Sequence, residues 1–458
     1  MKRPMRNSGL LVLVLLLWPA VAAAQDTTRL PPGVMLETRY SKAGRQILAV
    51  RAFEASPELA DVATQVASVI RNDLTLSDRF QMAFVPQELM SGEVDYVQWN
   101  GLNVVWLVTG TLLSTGSGYQ LDIALHDVVY GNVRQRQTFP LPAAVHSDFR
   151  MAAHIVSDEI VRWITNQPGM ATTRIAFVRQ NPGGSYDLMI VDSDGENLRR
   201  ISGSSGLIYS PTWSADGTRL AYTTRTDEDH RLVERDMATG ATRVLRTART
   251  DEMLMTPSYI PSSTKIAYAS WVNRGVAIHE FDYGENCCVK KLTDSRGDNV
   301  SPTYSPDGRR FAFHSSRTGR QHIFVAAADG GGVVTLTPFG ERVEYAAPDW
   351  QPTGTRVVFH GESRGTKQLL VADAARPGSQ IQQLTSTGHN EDPSWAPDGR
   401  HIVYSYQAGL SAASSSLYVI DTVTGENRLL VSGGSGAGLR LADWSPSLVG
   451  TVTVVQTH

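Results

Sequence analysis

The stretch SPTYSPDGRRFAFHSSRTGRQHIFVAAADGGGVVTL, residues 301–336, decides the fold of this chain. Pro306-Asp307-Gly308 predicts a tight turn, because proline presets φ, aspartate bonds its own backbone and glycine accepts a positive φ. Asp329-Gly330 predicts a second turn. Short extended or alternating runs, typical of strands, lie at 302–304, 310–313, 322–325 and 333–336. Four strands in this space leave no room for a helix, so the stretch predicts one blade of a β-propeller.

The opening phrase of this blade occurs six times at a nearly constant step. The copies are SPTWSADG from Ser210, TPSYIPSS from Thr256, SPTYSPDG from Ser301, APDWQPTG from Ala347, DPSWAPDG from Asp392 and a truncated LADWSP from Leu441. Their aromatic residues, Trp213, Tyr259, Tyr304, Trp350, Trp395 and Trp444, are 46, 45, 46, 45 and 49 residues apart. A period of this size indicates supersecondary units that must stack to bury their apolar faces.

One further copy of the blade pattern, beginning at Ile175, lacks the opening aromatic strand. The segment 442–446 supplies the missing strand from the far end of the repeat array. Distant segments that complete one blade together close the ring and remove exposed sheet edges. The sequence therefore predicts a six-bladed all-β propeller over residues 174–458, preceded by an N-terminal α/β domain.

The start of the chain reads as a processing signal. Residues 1–24 combine a basic beginning with an apolar core at 10–18, and small residues at the end predict cleavage between Ala24 and Gln25. The segment 25–44 is polar and has no periodicity, which predicts a flexible N-terminal arm. We therefore expect an exported protein.

Residues 45–168 carry the pattern of the α/β domain. Strands are predicted at 47–53, 80–85, 104–114, 119–128 and 133–141, and helices from 57 and at about 147–165. Apolar residues recur at helical spacing after 57 and give that helix one apolar face. The polar turn at 166–169 ends the second helix and links the domain to the first blade.

Composition narrows the possible partners. Lysine and arginine number 42 against 45 acidic residues, so no overall charge favours nucleic acid or anionic lipid. No apolar run after the signal is long enough to cross a membrane. We expect no nucleic-acid partner and no direct membrane insertion.

The chain has two cysteines, and they are neighbours, Cys287 and Cys288. Successive side chains on a strand point to opposite faces, so a bond between them would distort the backbone. The favoured interpretation is two small unbonded residues near a blade turn, and the alternative is a redox switch.

No signature of catalysis or metal binding appears in the chain. The motifs G-x-S-x-G and H-E-x-x-H are absent, as are cysteine pairs at zinc spacing. His154, Asp158 and Glu159 lie near one face of the second helix, and we interpret them as an interdomain hydrogen-bonding face beside the first blade. His314 and His360 occupy equivalent places in two blades, which we interpret as blade geometry. The expectation is a protein without enzymatic activity, metal or cofactor.

A signal peptide, a small α/β domain and a WSPDG-type propeller, in that order, resemble the TolB family of Tol–Pal systems. AHIVSDEIVRWIT at 153–165, followed by GMATTRIAFV at 169–178, is similar to the family's joint pattern AHxxADEIxxxLTGxxGxFxTRIAYV. LVTGTL at 107–112 and YQLDIALHDVVYG at 119–131 resemble its first domain. Two departures are Asn166 in place of the glycine of LTG and Ala171 in place of the aromatic before TR.

The resemblance implies a non-catalytic periplasmic scaffold that binds Pal, the peptidoglycan-associated lipoprotein. It also implies communication with TolA through the arm, in support of outer-membrane integrity and constriction at cell division. In the family Pal docks on a propeller rim through blade-connecting loops. Transferring the loop positions predicts a Pal face of Asp251, Glu252, Met253, Asp298, Asn299, Glu344, Tyr345, Asn390 and Glu391.

The alternative is a periplasmic propeller enzyme of the oligogalacturonate-lyase type, which has similar repeats. Such an enzyme would bind its metal and sugar at the mouth of the ring through several histidines. The 11 histidines of this chain are scattered, and an N-terminal α/β domain has no place in that architecture. The scaffold is therefore the favoured interpretation.

Overall fold

The computed structural model describes residues 34–35, 44–204, 206–227, 229–249, 251–272, 275–294, 296–339, 342–409 and 414–451. The predicted signal peptide 1–24, the predicted cleavage between Ala24 and Gln25 and most of the predicted arm lie outside these residues. Within the described residues, no helix combines the length and apolar character that a membrane span requires.

The N-terminal domain is a five-stranded mixed sheet with two long helices packed on one face. After a short strand β1 (Val34–Met35), its elements are β2 (Gln46–Val50), α1 (Ala60–Leu76), β3 (Phe80–Met82), α2 (Tyr96–Gly101), β4 (Trp106–Ser114), β5 (Gly118–Asp127), β6 (Asn132–Pro142) and α3 (Phe149–Thr165). The sheet order is β3-β2-β4-β5-β6, and β2 runs parallel to both of its neighbours. Helix α1 follows the apolar periodicity predicted from the sequence.

Local sequence chemistry accounts for the buried face of α1 and for the ends of the other two helices. Val66, Ile70 and Leu74 form the apolar stripe of α1 and are fully buried against the sheet. The short helix α2 was not predicted from the sequence. Asp95 is nevertheless a good N-cap, whose carboxylate accepts hydrogen bonds from backbone N–H groups of the first turn. Asn166 ends α3 in the left-handed conformation, at φ 54°, as a glycine usually does.

The rest of the described chain forms six four-stranded blades, which confirms the predicted propeller. Blade 1 contains β7 (Arg174–Gln180), β8 (Tyr186–Asp192) and β9 (Arg199–Ser204). Blade 2 contains β10 (Leu207–Trp213), β11 (Arg219–Arg225), β12 (His230–Asp236) and β13 (Thr242–Thr247), and blade 3 contains β14 (Met253–Tyr259), β15 (Lys265–Val272), β16 (Gly275–Asp282) and β17 (Cys287–Lys291). Blade 4 contains β18 (Asn299–Tyr304), β19 (Arg310–Ser315), β20 (His322–Ala327) and β21 (Val334–Thr335).

Two further blades and a closing strand complete the ring. Blade 5 contains β22 (Glu344–Trp350), β23 (Arg356–Ser363), β24 (Thr366–Asp373) and β25 (Ile381–Gln383). Blade 6 contains β26 (His389–Trp395), β27 (His401–Gln407), β28 (Ser416–Asp421) and β29 (Asn427–Val431). Strand β30 (Gly438–Trp444) returns to blade 1 and pairs antiparallel with β7. The ring is closed by the far end of the repeat array, as the repeat pattern predicts.

The six aromatic residues of the repeat are buried at the seams between blades. At four seams the backbone N–H of the aromatic residue donates a hydrogen bond to a side chain of the preceding blade. The acceptor is the residue directly before the repeat aromatic of that preceding blade. The pairs are Trp213 to Asp443 at 2.7 Å, Trp350 to Thr303 at 3.0 Å, Trp395 to Asp349 at 2.7 Å and Trp444 to Ser394 at 3.1 Å. Burial, together with the nearby Asp349 carboxylate, raises the pKa of Asp443 to about 8. These contacts join neighbouring blades around the channel.

Each innermost strand contains a bulge at the first residue of the repeated phrase. The six residues there, Ser210, Thr256, Ser301, Ala347, Asp392 and Leu441, all have left-handed φ angles between 42° and 55°. The strand pairing shifts register at the same place in all six blades. A bulge of this kind reverses which faces the flanking side chains occupy.

The cysteine pair differs from the sequence prediction. Cys287 and Cys288 form a disulfide, so the interpretation as two unbonded residues is wrong. Cys288 has a left-handed φ of 67°, and the pairing of β17 with β16 shifts register beside it. The alternation of side chains that argued against the bond is therefore absent at this point of the strand.

Trp444 tests whether the closing strand holds the ring together. Its indole Nε1 donates to Thr173 Oγ1 at 2.7 Å, and its ring lies in the core shared by blades 1 and 6. We expect Trp444→Ala to lower the free energy of unfolding by about 3–5 kcal/mol, since it empties a packed site. Urea denaturation followed by circular dichroism measures the change. The control Trp271→Ala removes a ring that is 41 % exposed and should cost less than about 1 kcal/mol, and equal losses in the two variants would contradict the prediction.

Candidate functional site

The propeller has two unlike rims. The turn rim carries the first-to-second and third-to-fourth turns of each blade, such as 305–309 and 328–332 in blade 4. The loop rim carries the second-to-third loops and the blade-to-blade connections, such as 316–321 and the described residues 337–339 and 342–343. The N-terminal domain packs on the turn rim at blades 1 and 6, through contacts with Asp194, Asp398 and Arg428. The loop rim is on the opposite side of the ring.

One half of this joint is a buried charge cluster around Asp78. Asp78 lies directly after α1, and its carboxylate accepts hydrogen bonds from His401 Nε2 at 3.2 Å and Arg428 Nη1 at 3.0 Å. The other ring nitrogen of His401 lies 2.7 Å from the Asp398 carboxylate. Burial opposes protonation of His401, but Asp398 and Asp78 outweigh it and raise its pKa. Arg79 adds an ion pair to Asp398 at 3.6 Å. The first turn of blade 6 is thus joined to the end of α1 by charge.

The other half of the joint is centred on His154 in α3. His154 is fully buried, and its Nδ1 lies 2.7 Å from the carboxylate of Asp73 on α1. Its Nε2 lies 3.9 Å from the carboxylate of Asp194, in the third-to-fourth turn of blade 1, and Arg150 forms an ion pair with that same carboxylate. Burial opposes protonation, yet Asp73 and Asp194 raise the pKa of His154 to about 8. A protonated His154 therefore bridges both helices and the propeller.

The other two predicted joint residues have different surroundings. Asp158 accepts the backbone N–H groups of Ala171 and Thr172, each at 2.8 Å, and so holds the segment that links the domains. Glu159 does not face the first blade, contrary to expectation, because its carboxylate is bound within its own helix by Arg162 and Trp163. The helical periodicity places Asp158 and Glu159 a full 100° apart on α3, and only Asp158 points at the linker.

Three sets of potential metal ligands occur among the described residues: Asp73, His154 and Asp194; Asp78, His401 and Asp421; and Glu285, Cys287 and Cys288. In the first two sets the carboxylates are already bound by cations, Arg150 on Asp194, Arg428 on Asp78 and Arg400 on Asp421. Protein cations thus supply the positive charge at these two sets. We interpret both as the ion-pair networks of the joint.

The predicted Pal face divides into buried and exposed residues. Asn299, Tyr345 and Asn390 are at most 1 % exposed, so their side chains cannot touch a partner. Asn299 donates to Val276 O at 2.9 Å and to two loop carbonyls, and Asn390 holds its own loop in the same manner. All three residues lie two positions before the left-handed bulge, where every blade has a buried residue. They shape the loops of the rim from inside the blade.

Two of the predicted carboxylates are also committed within the protein. Glu252 is 8 % exposed, and its carboxylate accepts hydrogen bonds from Ser270 Oγ at 2.7 Å and from the backbone of Arg249. Glu391 pairs with Lys367 and lies 3.5 Å from Arg440. Both carboxylates fix loop-rim structure, which makes their substitution a poor test of partner contact.

The remaining predicted residues reach the surface. Asp251, Asp298 and Glu344 are exposed, and Met253 is half-buried. Glu344 has one weak ion pair, 3.8 Å to Arg320, with both side chains about half exposed. These carboxylates give the loop rim a spaced set of negative charges.

Two aromatic residues of the loop rim were missed by the sequence reading. Trp271 is 41 % exposed near the end of β15 in blade 3, where it pairs across the sheet with Met253. Phe339 is 55 % exposed in the connection after blade 4, where it packs on His322 with ring centroids 5.1 Å apart. Exposed aromatic residues are common anchors of protein interfaces. Trp271 could have been found, since the other blades carry polar residues at that place.

His360 is buried and His314 is half-buried, at equivalent places in two blades, as the blade-geometry interpretation expects. Burial lowers the pKa of His314 to about 4 and that of His360 to about 3. His360 Nδ1 accepts the backbone N–H of Asp392 at 3.4 Å. Both rings are neutral near pH 7 and lie within the blades, below the surface of the rim.

The raised pKa of His154 predicts how the joint depends on pH. Since histidine in an unfolded chain titrates near 6.5, the stabilisation from protonated His154 is complete below about pH 6.5 and disappears as the pH rises through about 8. Between pH 6 and 9, the free energy of unfolding of the His154→Gln variant should fall by about 2 kcal/mol less than that of the parent. Calorimetric melting at several pH values measures this. The exposed His146→Gln serves as control, and parallel pH profiles for parent and His154→Gln would contradict the prediction.

Comparison with known proteins agrees with this architecture. The family model described as the TolB beta propeller domain matches residues 161–448, and the model of the TolB amino-terminal domain matches residues 38–134. The Tol-Pal system protein TolB of Actinobacillus pleuropneumoniae serotype 5b (strain L20) is 34% identical over 210 residues, which cover 44% of this chain and 48% of that protein. TolB of Methylococcus capsulatus is 31% identical over 203 residues, 43% of this chain and 46% of that protein.

In these matches the chain spans about half the length of the curated relatives. A solved structure extends the likeness to both domains. The crystal structure of TolB from Acinetobacter baumannii has a TM-score of 0.76 and 25% identity, covering 89% of this chain and 98% of that one. The propeller model alone spans more than half of the sequence, and the chain therefore belongs to the TolB family.

Proposed function

We propose that this chain is a non-catalytic periplasmic scaffold of a Tol–Pal system. Its loop rim binds the lipoprotein Pal, and its N-terminal arm communicates with TolA, in support of outer-membrane integrity and constriction at cell division. Family membership supports the role in the system. The signal-like residues 1–24 support export to the periplasm.

The arrangement of the two domains is the observation that carries the proposal for Pal. The N-terminal domain occupies the turn rim at blades 1 and 6 through the buried clusters around Asp78 and His154. The loop rim faces away from that domain and combines exposed carboxylates with the exposed rings of Trp271 and Phe339. An interface of this type uses aromatic anchors for affinity and charges for orientation and rate of association.

The described part of the arm supports a role in switching. Strand β1 adds to the outer edge of blade 5, with Val34 opposite Ile381 and Met35 opposite Gln382 in parallel register. Two residues of pairing cost little to form and little to release. An arm held this lightly can exchange between a docked and a free state, provided that a partner binds the two states unequally.

Charge reversal on the loop rim tests the Pal site. The Asp251→Lys and Glu344→Lys double variant should weaken binding of purified Pal by about tenfold or more in titration calorimetry. Both side chains are exposed, so the melting temperature should remain within about 2 °C of the parent. Trp271→Ala should also weaken binding, because it removes a candidate aromatic anchor.

A matched control places the same charge change on the N-terminal domain. Glu88 and Glu93 are exposed there, and the Glu88→Lys and Glu93→Lys double variant should bind Pal as the parent does. If the loop-rim and control variants bind Pal with the same affinity as the parent, the loop rim is not the Pal site.

Removal of the arm tests communication with TolA. Deletion of residues 26–36 removes β1 and should leave the melting temperature nearly unchanged. Capture of purified TolA should be lost, or the affinity for Pal should change by about fivefold or more, the scale of a typical coupling energy. A variant with a glycine-serine segment of equal length separates sequence from length. If both variants behave like the parent, the arm is a passive linker.

A further inference from the structure

The disulfide Cys287–Cys288 lies outside every feature used by the proposed function. It lies where the third-to-fourth turn of blade 3 enters β17, the outermost strand of that blade. Cys288 is exposed and Cys287 is half-buried. These are the two cysteines of the chain, so neither has another intrachain partner.

This disulfide does not act as a structural cross-link. A disulfide stabilises a fold chiefly by closing a loop of the unfolded chain, and this one joins residues with a sequence separation of 1. The equivalent turns of the other five blades contain no cysteine. In blades 1, 2 and 6 they are closed by backbone hydrogen bonds of 2.9 to 3.0 Å, such as Asp236 N to Ala241 O. The turn therefore does not require the bond in order to form.

The surroundings of the turn are fixed on one side only. The Asp282 carboxylate accepts hydrogen bonds from Thr264 Oγ1 at 2.9 Å and from Gly284 N at 3.0 Å. Tyr283 packs edge-to-face on Tyr259, with centroids 5.6 Å apart, and lies under the guanidinium of Arg219. The start of the turn is thus anchored to blade 2 and to its own blade. Since Asp282 also accepts the backbone N–H of Glu285 at 3.1 Å, we expect a chemical change at the disulfide to act mainly on the residues from Asn286 into β17.

We propose that Cys287–Cys288 is a reversible thiol–disulfide exchange site whose substrate is a thiol, either a small thiol or the dithiol of a thioredoxin-like protein. The incoming thiolate attacks Sγ of Cys288, the more exposed of the two residues, and forms a mixed disulfide, and the Cys287 sulfur leaves with the bonding electrons and takes up a proton. A second thiol then attacks the mixed disulfide and releases Cys288. The protein disulfide and two thiols thereby become a protein dithiol and one external disulfide, and the reverse reaction needs an external disulfide.

Glu285 affects the rate of this exchange. Its Oε2 lies 3.7 Å from Cys287 Sγ, so its negative charge disfavours a thiolate there and favours the protonated thiol. A leaving thiol with a lower pKa departs faster. Neutralising Glu285 should therefore accelerate the opening step.

Reduction also removes a constraint on the backbone. The left-handed φ of 67° at Cys288 is unfavourable for a residue with a Cβ atom. Two free thiols no longer hold that conformation, and β17 can relax at the register shift beside Asp282. The effect is a redox-dependent outer edge of blade 3, far from the joint at blades 1 and 6.

The experiment measures exchange in the folded, full-length mature protein. Incubation with reduced glutathione or dithiothreitol, followed by maleimide labelling and intact-mass analysis, should show two labels per chain well below the melting temperature. Oxidised glutathione should remove the labelling. The melting temperature of the reduced protein should remain within about 3 °C of the oxidised protein, because the bond closes no chain loop. Hydrogen exchange should increase in residues 285–291 and remain unchanged in the other blades.

Two variants make the test decisive. The Cys287→Ser and Cys288→Ser double variant should take no label and should melt like the parent, and Glu285→Gln should open about two- to fivefold faster. Labels that appear only under unfolding conditions would overturn the proposal, and so would loss of the folded state on reduction. An opening rate independent of Glu285 would contradict the assignment of Cys287 as the leaving sulfur.

Discussion

Pairing of β30 with β7 is the interaction on which the rest of the structure depends. Every blade buries its apolar face against its neighbours, so the ring is complete only when this strand is in place. The same strand carries Asp443, which accepts the backbone of Trp213 in blade 2, and Trp444, which binds Thr173 in the interdomain linker. The N-terminal domain then packs over blades 1 and 6, on either side of that seam. Ring closure and domain orientation are therefore one structural event.

The repeat phrase was enough to predict the architecture, because turn chemistry and strand alternation act locally and recur in six copies. It was not enough to place the loop-rim residues. Transfer of the family's loop positions placed Asn299, Tyr345 and Asn390 on the Pal face, whereas the structure buries all three, two residues before the left-handed bulge of their strands. The residue types Ser301 and Ala347 do not indicate the positive φ found there, since serine and alanine seldom adopt it.

The charge clusters of the joint between the domains could not be predicted from the sequence either. Asp73, Asp78 and Asp194 belong to separate elements, and only the packing of α1 and α3 on the turn rim brings them to His154 and His401. Helical periodicity identified the correct side of α3 to within one residue, which is why Asp158 meets the linker and Glu159 does not. The prediction of two unbonded cysteines was wrong for a related reason, because side chains alternate only on a regular strand and β17 has a register shift at this point.

Ring closure by a distant strand also has a consequence for the order in which the protein is made. A chain that is synthesised from its N-terminus presents β7, β8 and β9 long before β30, with five blades between them. During that interval β7 has an unpaired edge, which is a template for wrong pairing with other strands. Contacts of such high sequence separation form slowly. Until β30 is made, the propeller is therefore an open ring that is prone to wrong strand pairing at β7. A chain that stops before β30 cannot complete blade 1.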